Sequence, residues 1–396
     1  MTAPPTAAVS EWQDLVPYLR ADDGRWHNLA AGMPMQNPSL AELARRAYRT
    51  VVERPDFPDR IGRYHDVMGD GELRERLAAL YGNHFGLPLS RDNVLVTPGA
   101  QAAFHHLSAH VAGQGRRIVF AGPEYPGYRT HPGARYDMLL PEVRDVGPHE
   151  FRYLPPRGAL GPDVGAVVLS RPGNPTGSVV PDAHLEELAR ECAAVGALLV
   201  VDNAYGPILP GLAFGEPGLP WGDNVVLVQS FSKASLAGER LGFVLAAEPV
   251  LRTLAEYQAR AVVFPPQVIQ LVAAELLSDD RYTALCAGPL RASVRERHRL
   301  VRGLLEDLLT VEFAVHCLDG GQFQWVCLPG LPGSTAELFP VLADAGVLVA
   351  PSAPFYLPQL REDPHARRCL RIGVTAPRPA LERGVEIFAE VANAHG

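Results

Sequence analysis

The chain has almost no lysine. Of the 36 residues that are lysine or arginine, only Lys233 is lysine. A surface lysine exchanges with arginine without loss. An amine that must form an imine does not, because guanidinium stays protonated while a lysine amine can lose its proton when its surroundings depress its pKa. The single survivor therefore points to amine chemistry at Lys233, against the plainer reading of an arginine-biased genome. Cysteine is scarce too. Cys192, Cys286, Cys317, Cys327 and Cys369 are dispersed, odd in number and free of CxxC or metal-type spacing. That excludes a disulfide framework and reads as reduced core thiols in a cytoplasmic protein, with no metal site expected. Excess positive charge is absent: 44 acidic residues against 36 basic ones give a net charge of −8, which leaves no footprint for nucleic acid or an anionic membrane. No run is long and apolar enough to span a bilayer. Residues 1–10 have neither a cationic start nor an apolar stretch, so neither a signal peptide nor an anchor is expected there.

What is present is ordinary for a globular protein, with 47% apolar and 20% charged residues, and 396 residues suit one large domain plus a smaller one. Residues 1–30 read as irregular around a short polar helix near 11–20. Ser39 is expected to cap a helix over 39–52, and Leu73, Leu77, Leu80 and Tyr81 mark another amphipathic helix. From 93 to about 250, short apolar runs (93–97, 117–121, 165–170, 197–202, 224–230, 241–246) alternate with helices at 100–110 and 182–195. That pattern predicts an α/β fold, a mostly parallel sheet covered by helices on both sides. In such sheets ligands gather at the carboxyl ends of strands, and Asp202 and Ser230 end predicted strands while Gly99 follows one. After about 285 come long helices, strands at 322–327, 347–349 and 369–374, and a closing helix over 380–394. We expect a large cofactor-binding domain over 45–280 and a small α+β domain from 1–44 and 281–396.

Ser230 and Arg240 flank Lys233, and a hydroxyl with an arginine suits a phosphate group. The backbone N–H groups of Gly99, Ala100 and Gln101, opening the helix after Thr97, offer a second anion site. Two phosphate contacts beside an imine-forming lysine point to pyridoxal phosphate. The motif Ser230-Phe231-Ser232-Lys233, with Arg240-Leu241-Gly242 after six intervening residues, resembles the attachment signature of the class I/II aminotransferases, which have the aspartate-aminotransferase-like fold. Ser170-Arg171-Pro172-Gly173-Asn174-Pro175-Thr176-Gly177 is similar to that family's NPTG loop. Asp202-Asn203-Ala204-Tyr205 resembles its D-x-x-Y element, and Gly122-Pro123-Glu124-Tyr125 its P-x-aromatic turn. The wording of 122–128, 170–177 and 202–206 looks most like the valine–pyruvate branch.

The resemblance implies roles. Lys233 binds the cofactor, Asp202 meets the pyridine nitrogen, Tyr205 and Asn174 meet the phenolate oxygen, and Tyr125 stacks on the ring. Gly99, Ala100, Gln101, Ser230, Ser232 and Arg240 hold the phosphate. Arg371, Asn174 and Gly32 face the substrate, and Tyr64 reaches the phosphate of a partner in a homodimer. One departure is Ala100, where relatives often carry Ser or Thr, so a hydroxyl contact is missing. Each residue also has a duller reading: Asp202 as a helix cap, Asn174 as a turn former, Tyr125 and Tyr205 as core aromatics, Arg371 as an edge-strand residue. Their joint order and spacing favour the cofactor reading. His105 and His106 are taken as structural or exposed.

The implied activity is ping-pong transfer of an amino group between a small neutral L-amino acid, such as valine or alanine, and a 2-oxo acid such as pyruvate. The apolar stretch 261–266 carries that substrate reading, because dicarboxylate-specific relatives have an arginine in this region; Arg260 lies next to it. The alternative keeps fold and cofactor but ends in β- or γ-elimination, replacement, cyclisation or oxidation, since the motifs report the cofactor and not the fate of the carbanion. A transcription regulator built on the same fold is not expected, because no basic helix-turn-helix signature precedes Gly99.

Overall fold

The computed structural model describes residues 8–19 and 24–396. Arg20, expected near the end of the first helix, lies outside the described residues, as do residues 1–7; the helix itself runs Trp12–Leu19. In chain order the strands are β1 (His27–Asn28), β2 (Val94–Thr97), β3 (Arg117–Ala121), β4 (Arg135–Leu139) and β5 (Val143–Gly147). Next come β6 (Glu150–Tyr153), β7 (Val164–Ser170), β8 (Leu198–Asp202), β9 (Val225–Ser230) and β10 (Gly242–Ala246). The last five are β11 (Ala314–His316), β12 (Phe323–Cys327), β13 (Val347–Leu348), β14 (Ala350–Pro351) and β15 (Cys369–Gly373).

A seven-stranded sheet has the order β2-β10-β9-β8-β7-β3-β4. Every residue of β7 and β9 is buried, as expected of Val/Leu runs covered on both faces. All strands of this sheet run parallel except β10, which is antiparallel to both β2 and β9. That exception organises the site. Gly242 pairs with both Ser230 and Thr97, so the 231–241 segment must turn straight back at the carboxyl edge. Thr97, Ala121, Ser170, Asp202 and Ser230 all end strands at that same edge.

A six-stranded sheet, β14-β15-β12-β11-β6-β5, combines C-terminal strands with a hairpin from mid-chain. The hairpin was not anticipated, because β5 is exposed at every position and carries no apolar signature. The N-terminal β1 pairs in parallel with β13, and Gly373 N–H donates to the Leu29 carbonyl, which ties residues 27–32 to the sheet that carries Arg371. Helix capping differs from expectation at one point. Asn37, not Ser39, caps Pro38–Val52: its side chain accepts from Leu40 N–H at 3.1 Å, and Pro38 takes the first turn, where a missing N–H is harmless.

Candidate active site

Lys233 sits in the tight return between β9 and β10. Its surroundings are strained: Ser235 and Arg240, neither of them glycine, adopt φ of 70° and 53°. The half-buried Lys233 donates from its amine to the Gly32 carbonyl, so two residues 201 positions apart in the sequence are in contact. Burial first, then the nearby Arg371 and Arg240 cations, lower its pKa to about 8, which favours the neutral amine required of a nucleophile or proton carrier. A Cβ on Gly32 would stand 3.2 Å from Phe323 Cζ and 3.6 Å from Lys233 Nζ, so glycine lets the backbone approach the amine.

Arg240 shapes an anion cradle. Its guanidinium donates to Ser232 Oγ at 3.1 Å and lies against Gly99, where an added Cβ would stand 2.6 Å from Nη2. Gly99 (φ 81°) opens the helix Ala100–Gly113 with no side-chain cap, which leaves first-turn N–H groups such as those of Ala100 and Gln101 for an anion. Ser230 Oγ accepts from Ser232 N–H at 3.1 Å at the rim of this cradle. Gln101 is directed elsewhere: its side-chain amide donates to the Gly127 carbonyl.

Asp202 ends β8 and is 7% exposed. It accepts from Tyr128 Oη at 2.5 Å and from Ala204 N–H at 2.8 Å, and burial raises its pKa to about 6 against the opposing pull of the Tyr128 hydrogen bond. A buried carboxylate so raised is primed to pair with a cation. Tyr128 was not singled out from the sequence, although it closes the same Gly-Pro-Glu-Tyr-Pro-Gly-Tyr string as Tyr125. Glu124 was missed as well. It accepts from Ser170 N–H at 2.8 Å and from Ser170 Oγ at 2.6 Å, and burial lifts its pKa to about 8. Ser170 Oγ in turn accepts from Asn174 N–H at 2.8 Å, so Glu124 braces the 170–177 loop. Tyr125 lies over Gly127, where a Cβ would come within 2.2 Å of the ring, and Trp12 packs edge-on against it at 5.4 Å.

Arg371, on β15, is 2% exposed. It donates to Asn174 Oδ1 and to the Ala30 carbonyl, each at 2.7 Å, and its guanidinium carbon stands 3.9 Å from the Phe323 ring centre. Its Nε has no partner, and among the described residues no carboxylate pairs with it. Burial lowers its pKa to about 10. A buried cation whose hydrogen-bond partners are all neutral is a receptor for an anion. Tyr205 is buried beside it, edge-on to Phe323, with Lys233 Nζ 5.9 Å from its ring centre.

Lys233, Asp202, Tyr205, Asn174, Arg371, Gly32, Tyr125 and the Gly99/Arg240 cradle thus converge on one edge. Tyr64 does not. It is 88% exposed and packs edge-on to Phe264, beside the exposed Val262 and Val263. His105 is exposed as expected, whereas His106 is buried with neither ring nitrogen paired. The cysteines are less dispersed in space than in sequence: Cys327, Cys369 and His365 bring their ligand atoms within 4.8 Å of one another.

Among the described residues no helix is long and apolar enough to cross a membrane. The profile of the family described as "Aminotransferase class I and II" matches residues 29–135 and 155–388. The chain is 28% identical over 381 residues to a valine–pyruvate aminotransferase of Escherichia coli K12, covering 91% of this chain and 89% of the relative. It is 29% identical over 339 residues to a valine–pyruvate aminotransferase of Mycobacterium tuberculosis H37Rv, covering 83% and 82%. The crystal structure of valine–pyruvate aminotransferase from Salmonella typhimurium LT2 superposes with a TM-score of 0.88 at 26% identity, covering 97% of this chain and 98% of that one. The chain therefore belongs to the class I and II aminotransferases.

Proposed function

We propose that the protein is a pyridoxal-phosphate aminotransferase that moves an amino group between a small neutral L-amino acid of the valine or alanine type and a 2-oxo acid such as pyruvate. The observation that carries the proposal is the buried Arg371, held by Asn174 and aromatic rings without a carboxylate, close enough to lower the pKa of the amine of Lys233. The residues present fit the cofactor: an amine with a lowered pKa, a buried carboxylate with a raised one, and a glycine-lined cradle with an arginine against a helix N-terminus. When bound, the cofactor supplies a carbonyl for Lys233 and an electron sink for the amino acid's α-carbon.

Lys233 would then have two tasks, to hold the cofactor and to carry a proton at the substrate's α-carbon. Asp202, oriented by Tyr128, would hold a proton on the cofactor's ring nitrogen, because a buried carboxylate favours the charged form of a cation it pairs with. Arg371 and Asn174 hold the substrate carboxylate and so fix which bond at the α-carbon faces Lys233. Gly99, Ala100, Gln101, Ser230, Ser232 and Arg240 take the phosphate, without the hydroxyl that Ala100 lacks. Tyr205 and Tyr125 would border the cofactor ring.

Residues 261–263 of the apolar 261–266 segment and Tyr64 are exposed on their own chain, and this supports a homodimer in which they act at the neighbouring site. The domain division at 45–280 belongs to the same proposal. It is supported by the seven-stranded sheet lying wholly within those residues, although the 143–153 hairpin pairs with the C-terminal strand β11. A cytoplasmic location is part of the same reading.

The test is to mix the purified, cofactor-loaded protein with single amino acids and follow its absorbance, then add pyruvate. Stoichiometric 2-oxo acid from valine, and alanine formed from the added pyruvate, supports the proposal. Release of a β- or γ-substituent, or turnover that needs no 2-oxo acid, refutes it in favour of another carbanion fate.

A further inference from the structure

The strand that carries Arg371 starts at Cys369, and Cys369 lies directly opposite Cys327 on β12. Leu328 N–H donates to the Arg368 carbonyl, and in an antiparallel ladder hydrogen-bonded and open pairs alternate. Cys327 and Cys369 are therefore an open pair, the kind whose side chains stand closer. Both thiols are buried. His365 lies four residues before Cys369, on the short helix Pro364–Arg368, and its Nδ1 is 3.4 Å from Cys369 Sγ. A tetrahedral zinc ion with Zn–S of about 2.3 Å and Zn–N of about 2.0 Å has an S···N edge of about 3.5 Å. The Tyr153 hydroxyl, on β6, stands 2.8 Å from the same Nδ1 and accepts from Trp325 Nε1 at 3.0 Å. Phe151 packs edge-on against the imidazole at 5.0 Å and holds its orientation.

We propose that Cys327, His365 and Cys369 form a site for a thiophilic divalent cation, Zn2+ by ligand chemistry, with the Tyr153 hydroxyl at the fourth corner. Two thiolates and an imidazole whose ligand atoms lie within 4.8 Å of one another select zinc over magnesium or calcium, which take oxygen ligands. Binding breaks two S–H bonds, forms two Zn–S bonds, one Zn–N bond and one Zn–O bond to the neutral Tyr153 hydroxyl, and releases the two thiol protons and the ion's own waters to solvent. The bound ion ties β6, β12, β15 and the 364–368 helix together, two residues from Arg371. It does not depend on the transfer reaction, and its failure would leave that reaction untouched.

The experiment uses the full-length, cofactor-loaded protein, stripped with a chelator, kept reduced and titrated with Zn2+ against a chromophoric competitor. Metal content is read by mass spectrometry. The expected result is one zinc per chain, with a thermal midpoint that rises as zinc is added. Cys327→Ser and, separately, His365→Gln are each expected to weaken binding by about 100-fold. His365 is partly exposed on a five-residue helix, so its replacement keeps a folded protein available if the cysteine variant misfolds. The proposal is overturned if no zinc is retained at about 1 μM free metal, or if affinity is unchanged in the folded variants.

Discussion

Replacing Arg371 with methionine separates binding from stability, because the guanidinium occupies a place that folding alone does not favour. In the free protein it is buried, its hydrogen-bond partners are neutral, and burial lowers its pKa from the ordinary arginine value to about 10. At 1.36 kcal/mol per pKa unit that is roughly 3 kcal/mol of penalty on the charged form at neutral pH. The sign follows from a folded pKa below the unfolded one: folding disfavours the cation, so a neutral side chain of similar length relieves the penalty. Against this, methionine leaves Asn174 Oδ1 and the Ala30 carbonyl short of a donor, at about 1–3 kcal/mol per unsatisfied group, and removes the cation–π contact with Phe323. The two sides nearly cancel, so Arg371→Met is expected to melt within a few degrees of the parent. Catalysis does not cancel. Removing one member of a buried, hydrogen-bonded charge pair costs about 2–5 kcal/mol, or roughly 30- to 5,000-fold in kcat/KM for the amino acid. The assay pairs steady-state kinetics with a spectral titration by a simple monocarboxylate and a thermal melt. Arg371→Lys keeps charge but not the planar fork and is expected to fall between the two. The reasoning is refuted if carboxylate binding survives in Arg371→Met, or if the protein unfolds in step with its loss of activity.

Three further outcomes test the rest of the site. With the cofactor removed, the rate at which Lys233 recaptures pyridoxal phosphate should climb about tenfold per pH unit and level off near pH 8, because the neutral amine is the reactive form; a plateau near the ordinary lysine value would contradict the lowered pKa. Gly99→Ala puts a methyl against Arg240 at a φ of 81°, and since the end of the arginine can swing aside, the chain should fold while cofactor retention drops about 10-fold or more; equilibrium dialysis reads this, and unchanged retention removes Arg240 from the cradle. Tyr128→Phe deletes the 2.5 Å hydrogen bond that opposes the rise in Asp202 pKa. The pH below which the protein loses cofactor should then move up by about one unit, equal to about tenfold in affinity, and an unmoved profile would deny Tyr128 that part.

Legibility in the sequence followed locality. The buried runs of β7, β8 and β9 could be read directly, because strands covered on both faces are continuous in valine and leucine. Lys233, Asp202 and Asn174 were legible with them, since each follows or ends such a run and the carboxyl edge is where an α/β sheet gathers its ligands. The helix Gln267–Leu276 escaped notice because eight of its ten residues are buried, which erases the helical period. The strand β5 escaped for the opposite reason, being exposed throughout. Tertiary structure alone decided the long-range pairings. The hydrogen bond from Arg371 to Asn174 spans 197 residues and that from Tyr128 to Asp202 spans 74; sequence supplies neither distance. The antiparallel course of β10 returns Arg240 to the edge that Lys233 occupies, and the register of β12 on β15 sets two dispersed cysteines face to face. Side-chain chemistry and local period are written residue by residue, whereas the meeting of distant groups depends on sheet order and register, which emerge only when the whole chain packs.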